Sequence, residues 1–428
     1  MLIMTLNTQP YKGARDFYPE DKRKQDYIFN IWREEARRFG YEEYDAPIIE
    51  PLEIYAAKTS DEIVNEQTYV FEDRGGRKVT LRPEMTPTVS RMVAGRRQEL
   101  VYPLRWFSIP NLWRYERPQR GRLREHWQLN VDLFGVAGIE GDHELILLMD
   151  SIMQRFGAMR DMYLIRLSSR ELIDYILNDL YDLDIATAKN VIHLIDKMHK
   201  LEPEDFKNAL KELMPNKTEN LLGILQSNEF QNLPAEIKKH PAAERVHHLA
   251  LMLARGGITN AKFDITLVRG FDYYTDTVFE VFDTNPENKR SLFGGGRYDG
   301  LVGAFGVEPI PTIGFGMGDV TLKDFLEFHN LMPELPTEIQ ISAILIGDVY
   351  AEAQQVIKAL REAGINLAVD STNRKMDKQL KSAAKAGYKY VIFIGEEELA
   401  NQQFNIKEMA TGQEQKVNLD QIANIIFK

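Results

Sequence analysis

The chain contains no cysteine, which excludes disulfides and cysteine metal sites and gives no sign of secretion. No run approaches the ~20 apolar residues that a membrane helix needs, and the opening Met1-Leu-Ile-Met-Thr-Leu is too short and uncharged for a signal peptide. Internal repeats, low-complexity tracts and a Walker glycine-lysine loop are all lacking. Histidine is scarce, at 8 residues. His247 and His248 are adjacent on a helical stretch, so they point apart and suit a surface better than a metal site. Positive charge is also in deficit: the formal net charge of -11 argues against an indiscriminate nucleic-acid coat protein, though not against a local basic patch. A cytoplasmic protein without a membrane partner is expected.

What remains is ample for folding. The 428 residues, 44% hydrophobic and 27% charged, suffice for two or three domains. Periodicity predicts an amphipathic helix over Asp21–Phe39, with Ile28, Trp32, Ala36 and Phe39 on one face and Gly40 as its stop. The following Tyr44–Glu50 reads as an edge or interface strand because of Pro47. Further strands are expected at Lys78–Arg82, Leu104–Tyr115, Trp127–Phe134, Ile265–Phe282 and Thr312–Met317. Few crossover helices separate them, so the sheet should be largely antiparallel. Residues 169–257 are helical in pattern almost throughout and form an expected insertion in a core made of 1–168 and 258–330. After a 331–336 linker, strand and helix alternate over 337–428: Ile341–Ile346, Glu352–Ala363, Asn366–Asp370, Met376–Ala386 and Tyr390–Ile394. That is an α/β signature for a separate small domain.

Four segments carry unusual polar equipment. Leu267–Glu280 alternates like a strand yet holds Arg269, two aspartates and the Tyr273-Tyr274 pair. Phe293–Gly300 reads as a glycine turn opening onto Arg297, Tyr298 and Asp299. Polar groups are costly to bury unpaired, so two such segments suggest a pocket for an anionic, polar substrate, with a salt-bridge network as the bland alternative. In Thr80–Pro87, Glu84 and Thr86 stand two apart in a proline-bracketed piece read as extended, so both can face an ammonium group; a rigid turn is the alternative. Trp113–Glu125 carries Arg114, Arg117, Arg120, Arg122 and Arg124 against only Glu116 and Glu125. It reads as a hairpin whose guanidinium forks suit phosphate oxygens, with Gln128 and Asp132 on one face of its return strand. Gly314–Gly318 looks like a dinucleotide fingerprint but has Asp319 where the third glycine belongs, so it is a weak signal.

Taken in order, the Asp21–Phe39 helix with the Pro47 strand, the Arg-Pro-Glu-Met-Thr turn (82–86), the Arg114 hairpin and the glycine-rich strand near 314 resemble the three motifs of class II aminoacyl-tRNA synthetases. Leu-Val-Arg-Gly-Phe-Asp-Tyr-Tyr (267–274) and Gly-Gly-Gly-Arg-Tyr-Asp-Gly-Leu (294–301) are similar to two signatures peculiar to the histidyl-tRNA synthetase family. The resemblance spans the chain, from Lys12–Pro19 to Asn373–Lys381 and Ile394–Leu399, which resemble the family's anticodon-binding module. It implies an α+β catalytic domain, with an antiparallel class II sheet, flanking helices and a helical insertion, followed by an α/β anticodon-binding-type domain.

The resemblance also implies ATP-dependent activation of L-histidine and transfer to tRNA(His), by a homodimer whose interface would use the first helix and the Pro47 segment. Arg114 and Arg269 match catalytic arginines, Arg269 standing where related synthetases place a magnesium ion. Magnesium is still expected with the outer phosphates of ATP, with no protein metal site. Glu84, Met85, Thr86, Arg114, Gln128, Asp132, Arg269, Tyr273, Tyr274 and Tyr298 match the histidine pocket. Arg114, Glu116, Arg122 and Arg269 match ATP contacts, and Arg117, Arg120, Arg122 and Arg124 would approach the tRNA acceptor end. One departure stands out: Thr321 occupies the place of the motif 3 arginine that clamps ATP. A catalytically silent relative, either a regulatory subunit of ATP phosphoribosyltransferase or a tRNA-sensing module, is the alternative; such subunits lack the anticodon-binding domain.

Overall fold

The computed structural model describes residues 6–56, 67–227, 229–268, 273–288, 290–372 and 374–427. The chain divides into two compact units, Met1–Pro333 and Glu334–Lys428. Among the described residues the strands are β1 (Glu42–Glu43), β2 (Ile49–Pro51), β3 (Tyr69–Glu72), β4 (Lys78–Leu81), β5 (Leu104–Ser108), β6 (Asn111–Trp113), β7 (Glu125–Phe134), β8 (Tyr163–Ser169) and β9 (Ala261–Phe263), followed by β10 (Thr277–Asp283), β11 (Ser291–Arg297) and β12 (Thr312–Gly318) in the first unit. The second unit holds β13 (Ile341–Ile346), β14 (Leu367–Asp370), β15 (Tyr390–Gly395), β16 (Gln403–Glu408) and β17 (Glu414–Asn418).

The large sheet runs β1-β5-β7-β12-β11-β10-β8-β9, with β6 also paired to β7. It is antiparallel except for the short β1–β5 and β8–β9 pairings at its edges. Side chains alternate across β7, β12 and β11, and the register places like with like. Leu129, Val131, Leu133, Ile313, Phe315 and Met317 share a buried face. The helix Ile139–Arg155 covers that face with Leu145, Ile146, Met149 and Ile152. The helix Pro19–Arg38 adds Ile28, Trp32 and Ala36, and the indole of Trp32 points Nε1 at Met317 Sδ, 3.1 Å away. Helices between Arg170 and Arg255 contribute Leu172, Ile176, Val191, Leu221 and Leu249 to this same contiguous core. A separate small sheet runs β2-β4-β3.

Local chemistry cuts several expected strands short. Leu104–Tyr115 is broken at Ile109-Pro110, because Pro110 has no N–H for the ladder; instead its carbonyl accepts from Gln128 N at 3.2 Å. Tyr44–Ile48 is not a strand, and pairing resumes only at Ile49, beyond Pro47. Among the described residues the expected strand Ile265–Phe282 is found only at Thr277–Asp283, and Asp264 Oδ1 takes Thr266 N at 3.0 Å to close a local turn before it. Residues 269–272 lie outside the described residues.

Conversely, Phe293–Arg297 is not a turn but part of β11, paired on both sides. The second unit combines a parallel β14-β13-β15 core, with helices Tyr350–Glu362 and Met376–Lys385, and an antiparallel β16–β17 hairpin that the periodicity did not signal.

Candidate active site

The polar face of β7 and the bare backbone of its neighbours build the site. Gln128, Asn130 and Asp132 point away from the core, and opposite them in register stand Gly318, Gly316 and Gly314 of β12. Gly316 and Gly314 in turn face Gly294 and Gly296 of β11. A Cβ on Gly314 would stand 2.4 Å from Asp132 Oδ1, and one on Gly316 would stand 2.6 Å from Gln128 Nε2. The glycines therefore make a floor of exposed backbone on which a ligand can lie, with polar side chains standing along one side.

A cavity of about 540 Å³ opens over this floor, lined by Glu84, Thr86, Arg114, Gln128, Asn130, Asp132, Tyr273, Tyr274 and Tyr298. Sequence spacing missed Asn130, although its position midway between Gln128 and Asp132 puts it on the same face. Glu84 and Thr86 do share the cavity, but not by extension: Thr86 already opens the helix Thr86–Gly95, with Pro87 in its first turn. Met85, at the N-cap of that helix, is fully buried and does not line the cavity. Tyr273 donates its hydroxyl to Glu84 Oε2 at 3.2 Å.

At the far end the hydroxyl of Tyr298 donates to Asp132 Oδ1, while Oδ2 is buried with no partner. Burial pushes the Asp132 carboxyl up to about 7, against the lowering effects of the Tyr298 and Tyr44 hydroxyls. An orphaned carboxylate oxygen in such a place is set to accept from a ligand N–H.

Arg297, which the sequence grouped with Tyr298, does not join the cavity. One residue along the strand reverses the side, so Arg297 faces the opposite surface, where it is 1% exposed. There it donates from Nε to Asp142 Oδ1 at 2.9 Å, from Nη1 to Val136 O and from Nη2 to Gly138 O. Arg245 also reaches Asp142 at 3.0 Å and Asp276 at 3.0 Å. For Arg297 the salt-bridge alternative is the correct one.

A second cavity of about 810 Å³ shares Arg114, Gln128, Gly294 and Gly316 with the first and adds Glu116, Arg122, His126, Glu280 and Thr321. Arg114 thus stands in the common wall. Its Nε donates to Pro83 O at 2.8 Å, which aims the fork while the terminal nitrogens take no other partner among the described residues. His126 is held down to about 3, first by burial and then by the positive charges of Arg114, Arg15 and Arg122, so it stays neutral.

The remaining loop arginines diverge. Arg122 pairs with Glu116 at 2.8 Å. Arg120 stacks 4.3 Å over Phe328. Arg124 is fixed to Tyr11 Oη and Glu116 O and lies 4.2 Å over Tyr115, while Arg117 is exposed. Arg269 lies outside the described residues. Asp319 accepts from Trp127 N at 2.9 Å and from Arg15 at 2.7 Å, which pins the N-terminal segment to β7 beside the second cavity. His247 stacks on Phe230 at 4.1 Å.

Two family models match the chain. One, described as histidyl-tRNA synthetase, covers residues 13–320, and the other, an anticodon binding domain, covers 340–428. The chain belongs to the histidyl-tRNA synthetase family. It is 43% identical over 413 residues to a histidine–tRNA ligase of Leptospira biflexa, covering 95% of this chain and 94% of the relative. It is 35% identical over 432 residues to one of Thermoplasma volcanium, with 99% of each covered. A crystal structure of histidyl-tRNA synthetase from Nostoc superposes with a TM-score of 0.82 at 21% identity and 99% coverage of both chains, which shows the shared fold. Family membership makes the catalytic unit a class II synthetase core, in keeping with its antiparallel-dominated sheet. No helix among the described residues is long and apolar enough to cross a membrane.

Proposed function

We propose that this protein is a histidine–tRNA ligase: it joins L-histidine to ATP as histidyl-adenylate and passes the acyl group to the 3' end of tRNA(His). The observation that carries the reading is Arg114 in the wall between two cavities, one ending in the Asp132 carboxyl and the other lined also by Arg122, His126 and the glycine strands. Histidine would lie on the glycine floor, its ammonium group toward Glu84, Thr86 and Gln128. Its ring N–H would meet the unpartnered oxygen of Asp132, with Tyr273, Tyr274 and Tyr298 enclosing the ring. A site built around a buried acceptor rejects apolar isosteres, because it leaves that acceptor unpaired.

The substrate carboxylate would then meet the α-phosphate of ATP beside Arg114. A carboxylate oxygen attacks the α-phosphorus, the bond to the bridging α–β oxygen breaks, and pyrophosphate leaves with that electron pair. Such a step is mainly positioning and charge stabilisation. Arg114, held by Pro83, supplies a fork already aimed; Arg269 is assigned by family resemblance to the same phosphate. Afterwards a terminal ribose hydroxyl of the tRNA attacks the acyl carbon and AMP departs. Magnesium would arrive with ATP as part of the substrate, and the described residues bring together no cluster of three acidic or histidine ligands.

The exposed Arg117 and Arg122 are the loop arginines best placed for the acceptor stem. Glu334–Lys428 would bind the anticodon. Self-association would use the small sheet, where Ile48, Ile49, Val70 and Phe71 remain 40–46% exposed, because the apolar stripe of the first helix is already occupied by its own core. A cytoplasmic location accords with the task. Incubation of the purified protein with labelled histidine, ATP and tRNA should yield acid-precipitable histidyl-tRNA; a product with no histidine on tRNA would refute the assignment.

A further inference from the structure

Among the described residues that line the second cavity, which takes ATP in the reading proposed above, none offers an available cation at the outer rim. Arg114 stands at the inner wall, Arg122 is paired with Glu116, and Arg120 is stacked on Phe328. Thr321 contributes no charge, and its hydroxyl turns inward to donate to Leu292 O at 2.6 Å. A triphosphate chain reaching that rim would carry its highest charge density where these groups offer least. Arg290 lies directly before β11, is exposed, and makes no ion pair or hydrogen bond among the described residues.

Its side chain is nevertheless at the cavity edge. A Cβ built on Gly121 would stand 3.9 Å from Arg290 Cδ and 3.6 Å from Thr321 Cγ2. Gly121 and Thr321 both line the cavity. Gly121 has no side chain to stand between Arg290 and the opening. The neighbouring carboxylate, Asp324, has Oδ2 3.9 Å from that same point, but the charges acting on it are those of Arg120, Lys323, Arg15 and Glu327. Guanidinium binds phosphate by a planar, two-pronged contact, and an unpaired exposed one loses no existing bond on doing so.

We propose that Arg290 is the positioning residue for the outer phosphates of ATP, supplying from the start of β11 the positive charge that Thr321 does not supply from the start of the helix Asp319–Phe328. The inference rests on the ligase reading, and its test separates the two. In histidine-dependent ATP–pyrophosphate exchange, Arg290→Ala should raise the KM for ATP about tenfold, the loss expected for one charge-assisted contact. The KM for histidine should be unchanged, Arg290→Lys should restore part of the loss, and Arg290→Ala combined with Thr321→Arg should restore most of it.

Calorimetric titration gives an arm independent of turnover: Arg290→Ala should weaken ATP binding while leaving AMP binding as in the wild type, because AMP lacks the phosphates concerned. An ATP KM within twofold of the wild type in Arg290→Ala, or equal weakening toward ATP and AMP, would overturn the role of Arg290 alone. A wild type that binds ATP but exchanges no pyrophosphate would overturn the ligase reading instead, leaving the ATP-against-AMP titration to decide on Arg290. The residue is exposed and unbonded, so an unchanged melting temperature is expected for Arg290→Ala and Arg290→Lys.

Discussion

The two faces of β7, β12 and β11 are a few ångströms apart and obey different rules. On one, Leu129, Val131, Phe315 and Met317 are packed without exposed surface or nearly so, and the charged pair it contains, Arg297 with Asp142, is saturated by partners. On the other, glycines withhold side chains, and Asp132 keeps one oxygen buried and unbonded. The first face commits its groups to the fold. The second retains unmet hydrogen-bonding capacity, which lowers stability and leaves that capacity for a ligand.

Substitutions at glycine should separate the two faces most sharply. At Gly295 any side chain is ruled out by backbone: an added Cβ would stand 2.0 Å from Gly314 O and 2.7 Å from Phe315 Cα, so Gly295→Ala should fail to give soluble folded protein. In Gly316→Ala the obstacle is the flexible end of Gln128 at 2.6 Å. That end can swing away, so the fold should survive with a circular dichroism spectrum like the wild type, while kcat/KM for histidine falls by about 100-fold or more. Equal loss of folding in both variants would erase the contrast.

Breaking the buried pair comes next. Arg297→Ala leaves Asp142 with Arg245 as its remaining cation and should lower unfolding free energy by about 3 kcal/mol, measured by urea titration. The KM for histidine should stay within twofold, since Arg297 faces away from the cavity. A large KM change at unchanged stability would return Arg297 to the substrate side.

Asp132 gives the smallest effect on folding and a diagnostic effect on pH. With its carboxyl at about 7, the ionised acceptor is present above that pH and lost below it. The wild-type KM for histidine should therefore rise as pH falls from 8 to 6. Asp132→Asn should raise the KM about tenfold or more at pH 8 and flatten this dependence, apart from the titration of the substrate ring itself. The stability sign is opposite: a folded carboxyl titrating above its unfolded value of ~3.9 favours protonation, so the group adds stability as pH falls from 7 toward 4. The asparagine variant should lose that gain. A pH-independent wild-type KM would contradict the assignment of Asp132 to the ring.

Much of this arrangement was legible beforehand, and the failures have causes. The helix ending at Gly40, the helical stretch between Arg170 and Arg255 and the alternation in the last unit follow from periodicity, which neighbouring packing did not overturn. Gln128 and Asp132 share a face because strand period alone puts them there. Phe293–Arg297 misled because glycine usually marks a turn, whereas here close approach of Gly314 O and Phe315 at Gly295, and of Thr277 O and the Tyr274 ring at Gly296, demands it inside a sheet. Arg297 misled because its sequence neighbour Tyr298 does line the cavity, and only the strand's alternation separates them. The uncommitted state of Arg290 depends on how the loop and β11 meet in space, a relation that no local pattern contains.

The central claim is that the polar face reads histidine and activates it with ATP. Its most direct test is ATP–pyrophosphate exchange by the purified protein, run with each of the twenty amino acids in turn. Exchange stimulated by histidine alone is the predicted result. No exchange with any amino acid, or exchange led by another one, would contradict the account.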